Sequence, residues 1–262
     1  MRISLVLNTF DQPEYLSRVL AAVTRQTVPP DEVLLADDGS GQPTGDLFSG
    51  WSARQKFRSL HVWQPHEDFR RAQILNQAIA AAQGDYLVFL DGDTVPHPWF
   101  VADHAAFGRR GAFVQGHRAL VEQEAATWFG QKDFAADRRR ALLQNQISGL
   151  KNSFRWPVAV RRIKNHLRGI RGCNLAVWRD DLVRVNGYNE DFSGWGREDS
   201  ELAARLLNAG CERLDLRGRA LCFHLWHPPA SRARLAANDG LLETAVRERI
   251  TRCEHGLHRH LQ

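Results

Sequence analysis

Tyr86-Leu87-Val88-Phe89-Leu90-Asp91-Gly92-Asp93 decides how this chain is read. Five consecutive apolar residues, with aromatic and β-branched types among them, describe a strand buried on both faces. The strand runs out into two carboxylates one residue apart. Asp-Gly alone is a common turn. At the end of a buried strand the pair has a second meaning. Hard divalent cations prefer oxygen ligands, and two neighbouring carboxylates can hold one while leaving positions open for phosphate. The strand in front of the pair tips the reading toward the cation.

The residues before this strand repeat one pattern. Arg70 to Gln83 is amphipathic, with Ala72, Leu75, Ile79 and Ala82 on one helical face, and Gly84 ends it. Further back come an apolar strand at Ile3–Leu7 and a helix over Glu14–Gln26 carrying Leu16, Val19, Leu20 and Val23. Pro29-Pro30 closes that helix. A second strand, Glu32–Ala36, ends in Asp37-Asp38-Gly39-Ser40; a weak helix and a strand at Ser59–Trp63 follow. Strand and helix in alternation predict an α/β fold, a Rossmann-like, mostly parallel sheet flanked by helices. Such sheets bind ligands beyond the carboxyl ends of their strands. Asn8-Thr9, Asp37-Asp38 and Asp91-Gly92-Asp93 all fall at such ends, and the coincidence says more than any one motif.

The second half is less regular. Between Arg138 and Arg179 there is no Asp or Glu, yet eleven Lys or Arg occur. Gly194-Trp195-Gly196-Arg197-Glu198-Asp199 is the most distinctive string. It reads either as a loop with a buried Trp leading into a helix, Asp199 suiting the first turn, or as a site. In the second reading the glycines let backbone approach a ligand, Trp195 offers a flat face to a sugar ring, and one carboxylate takes a proton from a hydroxyl. A helix over Ser200–Asn208 stops at Gly210. His224 and His227 are either hydrogen-bonded core residues or metal ligands. The region after His227-Pro228-Pro229 predicts one or two helices, with His255, His258 and His260 on a solvated face.

Composition narrows the class. The chain has 262 residues and a net charge of +5 from 35 Lys and Arg against 30 Asp and Glu. The pI is about 9.3 and the mean hydropathy −0.42. No run reaches the ~20 apolar residues of a membrane helix, and the N-terminus lacks the core and cleavage site of a signal peptide, so a cytosolic protein is expected. Cys173, Cys211, Cys222 and Cys253 are scattered, which argues for reduced, packed thiols over a disulfide framework or a zinc knuckle. The basic balance calls for an anionic partner without choosing among nucleotide phosphates, anionic lipid, an acidic glycan and nucleic acid.

From Ile3 to Pro229 the ordered motifs resemble the inverting family-two glycosyltransferases of the GT-A fold. The matching residues are Ser4–Phe10, Asp37–Ser40, Phe69–Ala72 with Asn76–Ile79, Asp91–Asp93, Arg171–Asn174 and Asn186–Glu190. Gly194–Asp199 is similar to the Gly-Trp-Gly-x-Glu-Asp loop of galactosyltransferases and chondroitin-type polymerases. Phe10-Asp11 departs from the family, standing where a Tyr-Asn pair is frequent. The resemblance implies a domain over residues 1–229, with a nucleotide-binding half (1–100) and an acceptor half (101–229), and a helical tail over 230–262. It implies a hexose or N-acetylhexosamine moving from a UDP-sugar to a glycan or glycolipid acceptor, as in bacterial envelope polysaccharide or lipopolysaccharide synthesis. Asn8, Thr9, Phe10, Asp38, Arg70 and Asp91 would serve the donor. Asp93 with His224 or His227 would hold Mn²⁺ or Mg²⁺. Asp199 would be the base, strengthened by a Trp-lined, desolvated loop, with Glu198 beside it. Trp195, Gly194 and Asn174 would meet the acceptor. Peripheral contact of the cationic stretch with an anionic membrane is also expected; nucleic acid is not. The rival is a non-catalytic nucleic-acid or glycan-binding protein using the interleaved Phe154, Arg155, Trp156, Arg161 and Arg162, but no recognition-fold signature accompanies them.

Overall fold

The structure is a computed structural model that describes residues 1–158 and 160–261, with Val160 and Arg161 described in backbone only. The first half alternates as predicted: β1 (Ile3–Thr9), α1 (Pro13–Thr24), β2 (Glu32–Asp37), α2 (Gln42–Ser52), β3 (Arg58–Trp63), α3 (Arg71–Ala81) and β4 (Tyr86–Asp91). Then come β5 (Thr94–Pro96), α4 (Phe100–Phe107), β6 (Ala112–Gln115), β7 (Arg118–Val121), α5 (Phe134–Leu143), β8 (Ile147–Ser148) and β9 (Val160–Lys164). The chain finishes with β10 (Leu175–Trp178), α6 (Arg179–Val185), α7 (Glu198–Asn208), β11 (Glu212–Arg217), β12 (Cys222–Leu225) and α8 (Leu235–Arg247).

Eight strands form one sheet in the order β3-β2-β1-β4-β10-β6-β11-β9. β1 to β4 are mutually parallel, β10 runs antiparallel to both its neighbours, and β9 closes one edge antiparallel to β11. Alternate residues of β1 feed two cores: Leu5 and Leu7 pack toward α1, Val6 toward α3. β4 divides likewise, Val88 and Leu90 against Leu87 and Phe89. This two-sided burial explains the unbroken apolar runs in the sequence. A second, four-stranded sheet, β5-β12-β7-β8, stands beside the first.

One expectation needs correction. Gly84 does not stop α3, which ends at Ala81 with Ala82 already extended. Gly84 is small because a Cβ there would lie 2.3 Å from Ser4 Oγ. The tail histidines lie at the surface as expected, His258 exposed and His255 and His260 partly so, but each is also tied down. His260 bonds Glu190 at 2.7 Å, His258 bonds Asn186, and His255 pairs with Asp191. Leu257 between them is fully buried in the core beside α3, so the tail is a strap. The four cysteines are all free and buried. Among the described residues, no helix is long and apolar enough to cross a membrane.

Candidate active site

Parallel strands end at one edge of a sheet, so the polar residues that terminate them must meet. Asn8 pairs in register with Asp91, and Thr9 with Asp37. Gly92 N–H donates to Asn8 O at 2.7 Å, and a Cβ on Gly92 would come within 2.9 Å of Thr9 Oγ1. The glycine between the two carboxylates is therefore set by this close approach.

At the end of β2, Asp38 is nearly buried. Its oxygens accept from Gln64 Nε2 (2.6 Å) and the Arg70 N–H (2.9 Å), and burial pushes its pKa up. Asp37 is turned inward onto His61 and Ser40. Asn8 Oδ1 is buried without a partner, an acceptor left free at the strand end. Phe10 is 41% exposed and stacks on His66, ring centroids 4.2 Å apart and 16° from parallel. The Arg70 side chain turns away, to Pro65 O and Glu67.

Its neighbour Arg71 is the arginine that enters the cleft. It reaches Asp91 at 3.3 Å, Glu198 at 3.1 Å and Asp199 at 2.9 Å, so one guanidinium ties the strand-end motif to the Gly194–Asp199 string. Asp199 also accepts from Gly172 N–H (2.8 Å) and faces Tyr188 Oη (3.4 Å). Arg71, Tyr188 and the Gly172 amide were not singled out from sequence. For Arg71 the signal existed: it lies four residues before Leu75 and eight before Ile79, on the buried stripe of α3.

β5 begins directly after Asp93 and pairs with β12 so that Thr94 faces His224. This register delivers the histidines. His227 Nε2 lies 3.1 Å from one Asp93 oxygen and His224 Nε2 3.7 Å from the other. Among the described residues, Asp93, His224 and His227 are the group whose ligand atoms all lie within 4.8 Å of one another. Both histidines belong to the cluster, where the sequence left the choice between them open. His227 Nδ1 bonds Pro228 O at 2.8 Å, which fixes the ring and leaves Nε2 facing the cluster. Burial lowers the His224 pKa to about 4, keeping that imidazole neutral, and the hydrogen bond to Asp93 raises that of His227. One carboxylate and two imidazoles make a donor set that suits a divalent first-row cation.

The residues expected to meet an acceptor depart from expectation in two places. Asn174 is 1% exposed and its amide is used up, by His104 Nε2 on one end and by His117 O and Ala220 O on the other. It fixes the turn behind Gly172 and cannot face a sugar in this structure. Trp195 is 42% exposed with Arg232 over its ring, so it does not desolvate Asp199. Desolvation falls on Glu198, whose pKa rises through burial and then through the Asp199 charge, with Arg71 opposing. Gly194 and Gly196 have φ of +69° and +106°, and Asn238 on α8 holds the loop through Gly196 O.

Comparison with known proteins places this geometry. A chondroitin synthase from Escherichia coli is 26% identical over 85% of this chain and 34% of its own length. A validoxylamine A glucosyltransferase from Streptomyces hygroscopicus subsp. limoneus is 27% identical over 78% of this chain and 47% of its own. The chain thus spans less than half the length of these relatives. Among solved structures, S. aureus TarS 1-349 in complex with UDP-GlcNAc superposes with a TM-score of 0.67 at 14% identity, over 99% of this chain and 69% of that one. A Pyrobaculum calidifontis mannosyltransferase in complex with GDP-Man and Mn²⁺ gives 0.57 at 18% identity, over 85% of this chain and 56% of that one. These likenesses establish a GT-A-type fold. Residues 152–228 match the N-terminal domain of galactosyltransferase. Residues 4–180, well over half of the chain, match Glycosyl transferase family 2, and the chain belongs to that family.

Proposed function

We propose that the protein is an inverting, metal-dependent glycosyltransferase that moves a hexose or N-acetylhexosamine from a UDP-sugar to a hydroxyl of a glycan or glycolipid acceptor. The observation that carries this is the bridge made by Arg71, which puts the Asp91–Asp93 strand end and the Glu198–Asp199 helix start in one cleft. The nucleotide would lie across the strand ends. Asn8 offers its free Oδ1, Thr9 and Asp38 line the edge, and Phe10 presents a ring face. Arg70 stands at the rim and supports Asp38 through its backbone N–H.

Asp93, His224 and His227 would hold Mn²⁺ or Mg²⁺; when bound, such an ion neutralises charge on the departing diphosphate. Asp199 is held at a fixed orientation by Arg71 and the Gly172 amide, where it can accept the proton of an acceptor hydroxyl. Glu198 shares the same guanidinium and orients it, Asp91 anchors its other end, and Trp195 gives the incoming sugar a stacking face. Attack opposite the leaving group inverts the anomeric centre.

An acceptor carried on an anionic bilayer, as in envelope polysaccharide or lipopolysaccharide synthesis, fits the cationic stretch Arg138–Arg179. Part of its charge is spent internally, Arg155 on Asp103 and Lys164 on Asp215. Arg162, Arg168 and Arg171 stay exposed, as do the apolar Phe154, Val158 and Ile163; the Arg161 side chain lies outside the described residues. Each cation near an anionic surface adds about 1 kcal/mol, so binding is weak and salt-sensitive. Flotation should require anionic liposomes and fade with salt; equal recovery with neutral vesicles removes the membrane contact. The enzymatic reading is tested with a panel of UDP-sugars and Mn²⁺, following UDP release. Release that depends on both metal and Asp199 supports it, and no release from any donor, with or without candidate acceptors, counts against it.

A further inference from the structure

Among the described residues, buried arginines are matched with carboxylates or carbonyls: Arg71 with Asp91, Glu198 and Asp199, Arg205 with Glu201, Arg213 with His166 O and Arg168 O, Arg18 with Ala126 O and Thr127 O. Arg118 breaks this pattern. Among the described residues no carboxylate lies within ion-pair reach of it. Its Nε is buried without a hydrogen-bond partner, and among the described residues its side chain donates one hydrogen bond, to the Cys173 thiol at 3.4 Å, a weak acceptor. A half-buried guanidinium with no carboxylate in direct contact is costly unless something arrives to complete it.

Its position says what that is. β7 runs parallel to β12 with Arg118 beside Cys222 and Leu120 beside His224. Side chains in register on neighbouring strands share a face, so Arg118 looks the same way as His224, about 7 Å back along the strand and about 5 Å across. It interacts electrostatically with both Asp91 and His224. The thiol it touches belongs to Cys173, next to the Gly172 amide that holds Asp199. Arg118 therefore stands between the Asp93–His224–His227 cluster and the turn that orients the base. A group leaving opposite Asp199 and toward the cluster develops its negative charge in this space.

We propose that Arg118 is a donor-positioning residue whose guanidinium grips the distal phosphate of the nucleoside diphosphate. It would act as a second, permanent cation toward the leaving group, alongside the Asp93–His224–His227 cluster. This rests on the reading of the cleft as a nucleotide-sugar site. A planar guanidinium takes two phosphate oxygens at once, which fixes orientation as well as charge. A lysine keeps the charge and loses the fork.

The test compares wild type, Arg118→Gln and Arg118→Lys by calorimetry with UDP, UMP and UDP-glucuronate in Mn²⁺, and by thermal melting without ligand. Arg118→Gln should weaken UDP about ten- to a hundredfold while leaving UMP within about threefold, and Arg118→Lys should fall between. Ligand-free Arg118→Gln should melt no lower than wild type, because it removes an unpaired buried charge, and UDP should raise its melting point less. Unchanged UDP affinity overturns the proposal. So does a clear melting loss in the ligand-free variant, which makes Arg118 structural. So does a loss confined to UDP-glucuronate, which makes it a reader of sugar carboxylates. Wild-type protein that binds no UDP refutes instead the nucleotide reading beneath it.

Discussion

Replacing Arg71 with Met should reveal how much of the cleft depends on one cation. The Arg71 side chain is 8% exposed and stands between Asp91, Glu198 and Asp199, themselves 25%, 8% and 19% exposed. Met fills similar volume but leaves three carboxylates crowded without a counter-charge. Breaking a buried ion pair by removing one partner costs about 3–5 kcal/mol, a large part of the ~5–15 kcal/mol that stabilises a domain. The cost must depend on pH. Even with Arg71 present, burial and like charge push Asp91 up to about 6 and Glu198 up to about 7. Without it these carboxyls rise further above their unfolded values, so the folded state holds extra protons. The penalty is then largest at high pH, above the raised values, and shrinks as pH falls through them toward the unfolded values. Urea unfolding at pH 8 and pH 5, followed by tryptophan fluorescence, measures both quantities. A loss under about 1 kcal/mol, or one equal at the two pH values, would refute the bridge. Arg71→Lys, which keeps the charge, should lose less at either pH.

Asp199→Asn should keep UDP affinity and lose transfer by about 10²–10⁴-fold, since the amide cannot accept the acceptor's proton; near-normal transfer would reduce Asp199 to a helix-start residue. Burial lowers the His104 pKa to about 4, so the folded state stays neutral while the unfolded chain protonates below about 6.5. Stability from this group should be intact above pH 6.5 and fall by about 3 kcal/mol on acidification to pH 4, a component absent from denaturation curves of His104→Gln. His227→Asn should move the preference among added cations from Mn²⁺ toward Mg²⁺, because it trades an imidazole for a harder oxygen ligand; unchanged metal preference in donor binding would remove His227 from the ligand set. Deleting residues 250–262 should destabilise the protein well beyond a frayed end, since it removes buried Leu257 and Cys253 and frees Asn186 and Glu190; a melting point within a degree or two of wild type would contradict the strap.

The sequence was informative where burial is two-sided and periodic. β1, β2 and β4 announce themselves as apolar runs ending in polar pairs, and parallel topology forces those ends together. The cleft's floor was therefore legible from Asn8, Asp38, Asp91 and Asp93. The side chains of Arg70 and Asn174 point elsewhere than their motifs suggest, for related reasons. In Arg70-Arg71 the charges are alike, and helical phase with Leu75 and Ile79 places Arg71 inward. A polar residue beside Gly172 suggests an open loop, whereas Asn174 is buried. Only the fold shows His104, His117 O and Ala220 O converging on it from residues 46 to 70 positions away. No local pattern encodes such partners. The same holds for Arg118, whose proposed role rests on the close carboxylate it lacks, and for the tail, whose histidines meet a loop 64 to 72 residues earlier.

The most direct test of the central claim is calorimetric titration of UDP into the wild-type protein and Asp93→Asn, each with Mn²⁺ and with chelator. The account predicts that wild type binds UDP far more tightly with Mn²⁺ than without. Asp93→Asn should lose that difference while melting at the wild-type temperature. UDP binding by wild type that is indifferent to Mn²⁺, or a Mn²⁺ effect retained in full by Asp93→Asn, would contradict it.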